Sequence, residues 1–451
     1  MQPCTDLPLQ HTESVNPVIR DAFGYTIEAN DDWLFVGEPF RKDSPGVHIY
    51  RATQSGWERS QFIDNPQSDN ESDFGVWFSL DGARVAIGAP TENDFGVVYF
   101  YTNVDGQWVP EHEYVVEKLG DSDSFISIDL DGDTIALGYP NRSESVTIAQ
   151  LSNGQWSAVQ EIWSPKSPFF TAYFGSRVVL RGDELAIADY GQLDEDYYES
   201  VGAVHFYKRI NGDWVLQQEL NADRRIDFSD LEFGRGLDFN EHSLVIGSRY
   251  DNDFGEHHGA VHFYKRRASD GSARTSGPWE RIDKKYPQEI DSQRALGWQV
   301  ALDKQTAVVT ALSEFEYDAQ FDDTVFFTKS RATIFARQGE SWFHRDTIEH
   351  PDGHAGDFFG WSLDVVNDQL FVANPFTERL DSSGEVLICD ISCLDDVCIG
   401  DLNADGAVNF FDVSMFLEAY LSDNEIADLN QDGDLNFLDV STLLDAYAGG
   451  C

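Results

Sequence analysis

An aromatic or leucine residue opens the same phrase seven times along this chain. The openings are Phe23-Gly24, Phe74-Gly75, Phe125-Ile126, Phe174-Gly175, Phe233-Gly234, Leu296-Gly297 and Phe359-Gly360, so copies start 49 to 63 residues apart. Phe125-Ile126 and Leu296-Gly297 are the two degenerate members. Self-similarity at such a period marks a repeat architecture, in which each unit buries its apolar face against its neighbours.

The order of signals inside each copy narrows the choice. An alternating apolar segment follows the opening, then a tight polar turn and a second apolar segment such as "RVAIGAP", "TIALGYP", "SLVIGSR" or "LFVANP". After an acidic loop comes a third strand such as "GVVYFY" or "GAVHFYKR", then a Gly-containing turn and a Trp-led fourth strand, as in "NGDWVLQQEL". Period-two alternation bounded by Asn-Gly and Asp-Gly turns reads as antiparallel hairpins. Four short strands repeated seven times predict an all-β, seven-bladed β-propeller, which leaves only short sheet edges. The seventh copy lacks its Trp strand. "DLPLQHTES" near the N-terminus has the pattern of a fourth strand and is expected to supply it, closing the ring and bringing Cys4 near Cys389 or Cys393. A disulfide locking that closure suits an oxidising compartment.

The set of Phe-Gly opening, "GAP"-like strand end and "GxVxxY" strand resembles the FG-GAP repeat family, whose best-known relatives are the integrin α-subunit propellers. The resemblance covers about residues 1–391. Integrin-type blades that bind calcium carry an expanded DxDxDG loop between their first two strands. The corresponding turns here are short ("LDGAR", "LDGDT", "RGDEL", "NDQL"), so the blades are expected to lack that site. Arg181-Gly182-Asp183 occupies the same turn position and is read as a hairpin turn using Gly for positive φ, not as an adhesion motif.

Residues 392–451 carry a different repeat. "DLNADGAVNFFD" (Asp401 to Asp412) and "DLNQDGDLNFLD" (Asp428 to Asp439) both have EF-hand loop spacing, with oxygen donors at positions 1, 3, 5, 9 and 12 and Gly at 6. The expected ligands of two Ca²⁺ ions are Asp401, Asn403, Asp405, the Ala407 carbonyl, Asn409 and Asp412, then Asp428, Asn430, Asp432, the Asp434 carbonyl, Asn436 and Asp439. Calcium is a hard cation that takes six to eight oxygens at flexible distances, which suits these loops better than it would magnesium. Each loop runs into an apolar segment of helical period, and no good entering helix precedes the first loop. Loop plus exiting helix, duplicated, resembles a dockerin module of the kind found in secreted planctomycete-type bacterial proteins. Cellulosomal dockerins typically carry small hydroxyl residues at their partner-reading positions; here stand Phe410, Phe411, Phe437 and Leu438, the candidate docking residues. Cys398 and Cys451 bracket the module and would clip its ends together, leaving one of the five cysteines unassigned.

Eighty Asp and Glu against thirty-one Lys and Arg give a formal charge of −49. That charge repels phosphates and anionic lipid headgroups, so nucleic acid is not an expected partner, and no apolar stretch is long enough to span a membrane. The first residues lack the basic start and apolar run of a signal peptide, so an exported protein would be in processed form. No nucleophile elbow, HExxH, P-loop or kinase phrase occurs. The His257-His258 loop, beside Asp251, Asp253 and Glu256, reads as a solvated acidic loop before it reads as a metal site. The acidic insertions 91–96, 189–202 and 314–323 gather on one rim, where Tyr, Phe and Asp suit protein or glycan contact, the aromatics there reading equally as packing between blades; Trp108, Trp156, Trp214 and Trp342 are expected in the core. The favoured expectation is a non-catalytic, extracellular or cell-surface, calcium-binding protein: a propeller scaffold for binding, adhesion or assembly, with the C-terminal module as docking point. The alternative is a structural subunit of a self-assembling filament or surface layer. A polysaccharide-active enzyme ranks third.

Overall fold

A computed structural model of the chain describes residues 7–8, 21–41, 44–67, 73–92, 96–116, 125–141, 144–165, 173–193, 201–222, 231–253, 258–266, 277–287, 295–312, 315–318, 323–326, 329–338, 341–351, 353, 357–376, 384–391, 400, 402, 408–422, 427, 429, 435 and 437–449. Seven four-stranded antiparallel sheets follow one another along the chain. Blade 1 runs through Ile27–Ala29, Trp33–Glu38, Gly46–Thr53 and Gly56–Asp64, and blade 2 through Phe78–Asp81, Arg84–Ala89, Val97–Val104 and Gln107–Val115. Blade 3 comprises Ser127–Asp131, Thr134–Tyr139, Ser145–Ser152 and Gln155–Trp163; blade 4, Phe174–Arg181, Glu184–Asp189, Ala203–Ile210 and Asp213–Asn221. Blade 5 is Phe233–Phe239, Ser243–Ser248, Ala260–Arg266 and Trp279–Lys285, and blade 6 is Leu296–Asp303, Thr306–Ala311, Arg331–Gln338 and Ser341–Glu349. Blade 7 has Leu363–Val366, Gln369–Asn374 and Glu385–Asp390, and its fourth strand is Leu7–Pro8, with Leu7 opposite Ile388. Cys389 is buried on the strand that Leu7–Pro8 joins; Cys4, Cys393, Cys398 and Cys451 lie outside the described residues.

The Phe-Gly corners set the contact between blades. Phe74 is fully buried among Val47, Ile49 and Ile63 of blade 1 and meets Tyr99 of its own blade at 5.7 Å. Gly75 stands at φ +83°, and a Cβ there would lie 2.9 Å from Val47 Cγ2. Its carbonyl oxygen lies 2.4 Å from where a Cβ on Gly37 would sit, so backbone rests on backbone. The same contact recurs as Gly175 on Gly138 and Gly297 on Gly247. In blade 3 Ile126 takes the corner without a positive φ, and the Phe125 ring fills the space beside Gly88 instead.

Two further devices repeat. In six blades the third and fourth strands shift register at one equivalent place, for example between Ile49 and Tyr50 and between Phe206 and Tyr207, a bulge that deepens the twist. Outer strands are clamped by a glutamine amide. Gln61 Nε2 donates to the Trp108 carbonyl at 2.8 Å while the Trp108 N–H donates to Gln61 Oε1 at 3.0 Å, and Gln160 with Trp214 and Gln218 with Trp279 repeat the pair. Trp108, Trp156, Trp214 and Trp342 are all buried.

One acidic loop departs from expectation. Within 314–323, where irregular structure was expected, Phe315–Asp318 pairs with Asp323–Phe326 as a separate hairpin. Alternation in "FEYD" and the β-formers of "DTVF" account for it.

Gly75→Ala is expected to destabilise the protein by about 3 kcal/mol, combining left-handed strain with overpacking. Gly182→Ala, at φ +59° with nothing within 4 Å of the added Cβ, should cost only about 1 kcal/mol. Urea unfolding of both variants measures the difference; equal losses would remove the corner from its governing role.

Candidate functional site

The duplicated acidic phrases lead into two helices, α1 (Phe410–Leu421) and α2 (Phe437–Gly449). Asn409 caps α1: its side chain accepts the Phe411 N–H at 2.9 Å, and Asp412 Oδ2 accepts the Asn409 N–H at 2.8 Å. This reciprocal box satisfies two of the orphan donors at the helix start. Asp412 and its counterpart Asp439 are both fully buried in the first turns of their helices, where the helix dipole favours a carboxylate. Leu402 and Leu429, the second residues of the two phrases, pack with Phe416, Ala419, Ala427 and Leu443 in a single core. The two phrases therefore share one apolar centre. Asp401, Asn403, Asp405, Ala407, Asp428, Asn430, Asp432, Asp434 and Asn436 lie outside the described residues. An all-oxygen donor set that ends on two buried carboxylates fits a hard cation.

The outer surface of this pair is apolar. Phe410 and Phe437 are each 73% exposed and Phe411 is 69% exposed. Leu417 and Leu444 stand seven residues beyond the two phenylalanines and are exposed as well, so each helix carries an apolar stripe on the side away from the shared core. The side chain of Leu438 is outside the described residues.

A second cluster lies on the propeller axis. Residues just after the corners form an aromatic collar: Tyr25 meets Phe40, Trp77, Trp361 and Phe376 at 5.3 to 6.1 Å, and Trp361 meets Trp298 at 5.3 Å. Arg235 continues the arc, lying over Trp298 at 4.0 Å and Tyr190 at 4.9 Å. Sequence reasoning missed this collar; its signal was a Tyr, Trp or Arg one or two places after six of the seven openings. Farther along the same strands, Glu28, Ser79, Asp129, Asp238 and Asp364 occupy equivalent register positions. Three of the aspartates tie blade to blade, accepting the Leu180, Leu302 and Ala29 N–H groups at 2.7, 2.9 and 2.8 Å. Burial and the proximity of Asp364 push the Glu28 carboxyl well above its usual range, and burial pushes Asp364 up to about 7.

Arg181-Gly182-Asp183 forms the inner hairpin turn of blade 4. Arg181 bridges Asp129 and Asp238 at 2.9 and 3.4 Å, the Gly182 N–H donates to Asp131, and Asp183 pairs with Arg209. The triplet is thus spent on bonds to the neighbouring blades, through Arg181 and Gly182, and within its own blade, through Asp183. In the blade 5 loop, the ammonium of Lys284 bonds both Asp251 and Asp253, the place a metal would need; His257 and Glu256 lie outside the described residues.

No protein-family model and no curated protein sequence matches the chain. Solved structures do. The Cps50 (Swd1) β-propeller domain of Myceliophteria thermophila superposes with a TM-score of 0.51 at 12% identity, covering 84% of this chain and 99% of that domain. The RRP9 WD40 repeats give 0.48 at 10% identity, covering 80% of this chain and 91% of theirs. A putative 6-phosphogluconolactonase from Bacteroides uniformis gives 0.46 at 8%, covering 73% and 86%. At such identities the likeness speaks for the propeller fold alone.

Asp189, at the end of the second strand of blade 4, is fully buried, and Oδ1 accepts the Tyr173 N–H at 2.8 Å. Burial pushes its carboxyl up to about 7. The native state therefore holds a proton that the unfolded chain releases near pH 4, and stability falls as pH rises from about 4 to 7. Asp189→Asn is expected to flatten that fall by one proton's worth of slope, read from melting temperatures between pH 4 and pH 8. An unchanged slope would show that Asp189 is ionised in the folded protein.

Proposed function

We propose that this chain is a non-catalytic, extracellular calcium-binding assembly protein: an FG-GAP-type propeller that serves as scaffold, followed by a dockerin-like pair of calcium loops that serves as its docking point. The observation that carries the reading is the repeated exposed apolar stripe on α1 and α2, set over a core that holds Asp412 and Asp439 buried. Calcium would neutralise these carboxylates and draw the loop oxygens onto one centre in each phrase, fixing the two helices and hence the spacing of Phe410 and Phe437. Apolar side chains displayed so fully on a strongly charged protein mark a surface made to be covered. A partner polypeptide that covers it would bury two phenylalanines at related positions, each worth about 2 kcal/mol.

The aromatic collar favours a second form of the same reading, in which copies assemble through the propeller face. Filament formation in calcium would support it.

Calorimetry on the full chain should count two calcium ions, and Asp439→Ala should leave one. Chelation should lower the melting temperature of the C-terminal helices, as expected for a ligand that binds only the folded state. Phe410→Ser with Phe437→Ser should keep both ions and abolish any calcium-dependent growth in particle mass seen by light scattering and electron microscopy. Absence of calcium binding at millimolar concentration would sink the proposal.

A further inference from the structure

Histidine recurs at one position of the third strand, and blade 5 treats it differently from the others. His48 Nε2 bonds Glu38 at 2.8 Å in blade 1, and His205 Nε2 bonds Gln192 at 3.0 Å in blade 4. His262 is fully buried against Phe233, and neither ring nitrogen makes a hydrogen bond among the described residues. The acceptor that would serve it, Asp251 Oδ2, stands 4.0 Å away. Lys284, directly across the ladder from His262, has taken that oxygen: its Nζ lies 2.7 Å from Asp251 Oδ2 and 2.5 Å from Asp253 Oδ2. This arrangement is enclosed, with side-chain exposures of 3% for Asp251, 11% for Lys284 and 28% for Asp253.

We propose that Lys284 and Asp251 react to form an intramolecular amide that covalently ties the outer strand of blade 5 to its rim loop. Three features distinguish this group from an ordinary ion pair. Nζ is in hydrogen-bond contact with Asp251 Oδ2 at 2.7 Å, which keeps the nitrogen beside the carboxyl group it would attack. Asp251 Oδ1 accepts the Asp253 N–H at 3.0 Å, a donor placed to stabilise negative charge on that oxygen as the carbonyl carbon becomes tetrahedral. Asp253 supplies a second carboxylate on the same nitrogen, itself held by Tyr286 Oη at 2.9 Å, and can act as proton carrier.

The step balances without any co-reactant. Within the ion pair one proton passes from Nζ to Asp251 Oδ2, giving amine and carboxylic acid and removing two charges from the enclosed site. The Nζ lone pair attacks Cγ; Asp253 takes a proton from the nitrogen and returns it to Oδ2; the Cγ–Oδ2 bond breaks and water leaves. An Nζ–Cγ amide remains and nothing is oxidised or reduced. In the unreacted state burial opposes the charge on Lys284, but its bonds to Asp251 and Asp253 outweigh that and hold the ammonium above its ordinary value, so the neutral pair is a minor species and the reaction is slow. His262, kept neutral by burial and by Lys284, adds no competing positive charge.

Mass spectrometry of the full chain, reduced and alkylated, tests this directly. The expected protein is lighter than its sequence by one water, and proteolysis yields a branched peptide joining Lys284 to Asp251. Lys284→Arg and Asp251→Ala should restore the full mass, and Asp253→Ala should slow the loss by about a hundredfold. A wild-type chain of full mass, after incubation for days at neutral pH, overturns the proposal whatever the variants do. So does a water loss that maps to the Asp–Gly turns as a cyclic imide.

Discussion

The distance between neighbouring blades is set where one backbone lies against another. Gly75 on Gly37, Gly175 on Gly138 and Gly297 on Gly247 leave no room for a Cβ on either side. Side-chain packing could tolerate small adjustments, but contact between backbones cannot, and interiors at crystalline density respond to a displacement of even one methylene. With that separation fixed, the corner phenylalanine has one place to go, between the second and third strands of adjoining blades. The glutamine clamps then meet their tryptophans at the rim, and the axial carboxylates meet the next blade's N–H groups at the centre. These polar bonds join neighbouring blades 47 to 64 residues apart in sequence, or 335 where Asp364 closes the ring onto Ala29, and form only when the corner has positioned its blade.

Such an order of dependence explains what could be read in advance. A contact that demands glycine at both partners writes itself into the sequence as recurring "FG" and "GAP" phrases, so blade number and strand order were legible. The asparagine-glycine and aspartate-glycine turns were legible for the same reason, since few residues adopt positive φ without strain. The collar was not, because its members keep no single residue type or spacing: Tyr25, Arg235 and the tryptophans Trp77, Trp298 and Trp361 stand one or two places after their corners. The axial ring was hidden more thoroughly, since Glu28, Ser79, Asp129, Val179, Asp238, Ala301 and Asp364 fill equivalent places with acids, a hydroxyl and aliphatics. In the C-terminal phrases, spacing announced the helices and the repeat of Asp412 by Asp439. It could not announce that Leu402 and Leu429 would meet in one core, because a residue's burial depends on the other copy.

The acidic excess is not spread evenly over the surface. Part of it is drawn to the axis, where carboxylates face one another with too few cations among them. Arg181 compensates Asp129 and Asp238, whereas Glu28 and Asp364 face each other and resist ionisation together. Such an arrangement favours whatever supplies positive charge or protons, and three of the junctions between its first strands are made by carboxylates of this same group. Acid therefore contributes both cohesion and stress at the centre of the ring, in proportions that pH changes.

Repetition also gives the chain freedom to differ locally. The third-strand histidine is answered by Glu38 in blade 1, by Gln192 in blade 4 and, among the described residues, by no hydrogen-bond partner in blade 5, yet all three strands share one register around it, because the corner and the bulge hold the backbone regardless. A lysine opposite His262 is tolerable only since Asp251 and Asp253 can reach it, and once they do, an amine and two carboxylates share a space that excludes most water. Reactivity of that sort needs no dedicated cleft. It arises where a rigid repeat keeps its shape while one copy accumulates groups that the others keep apart.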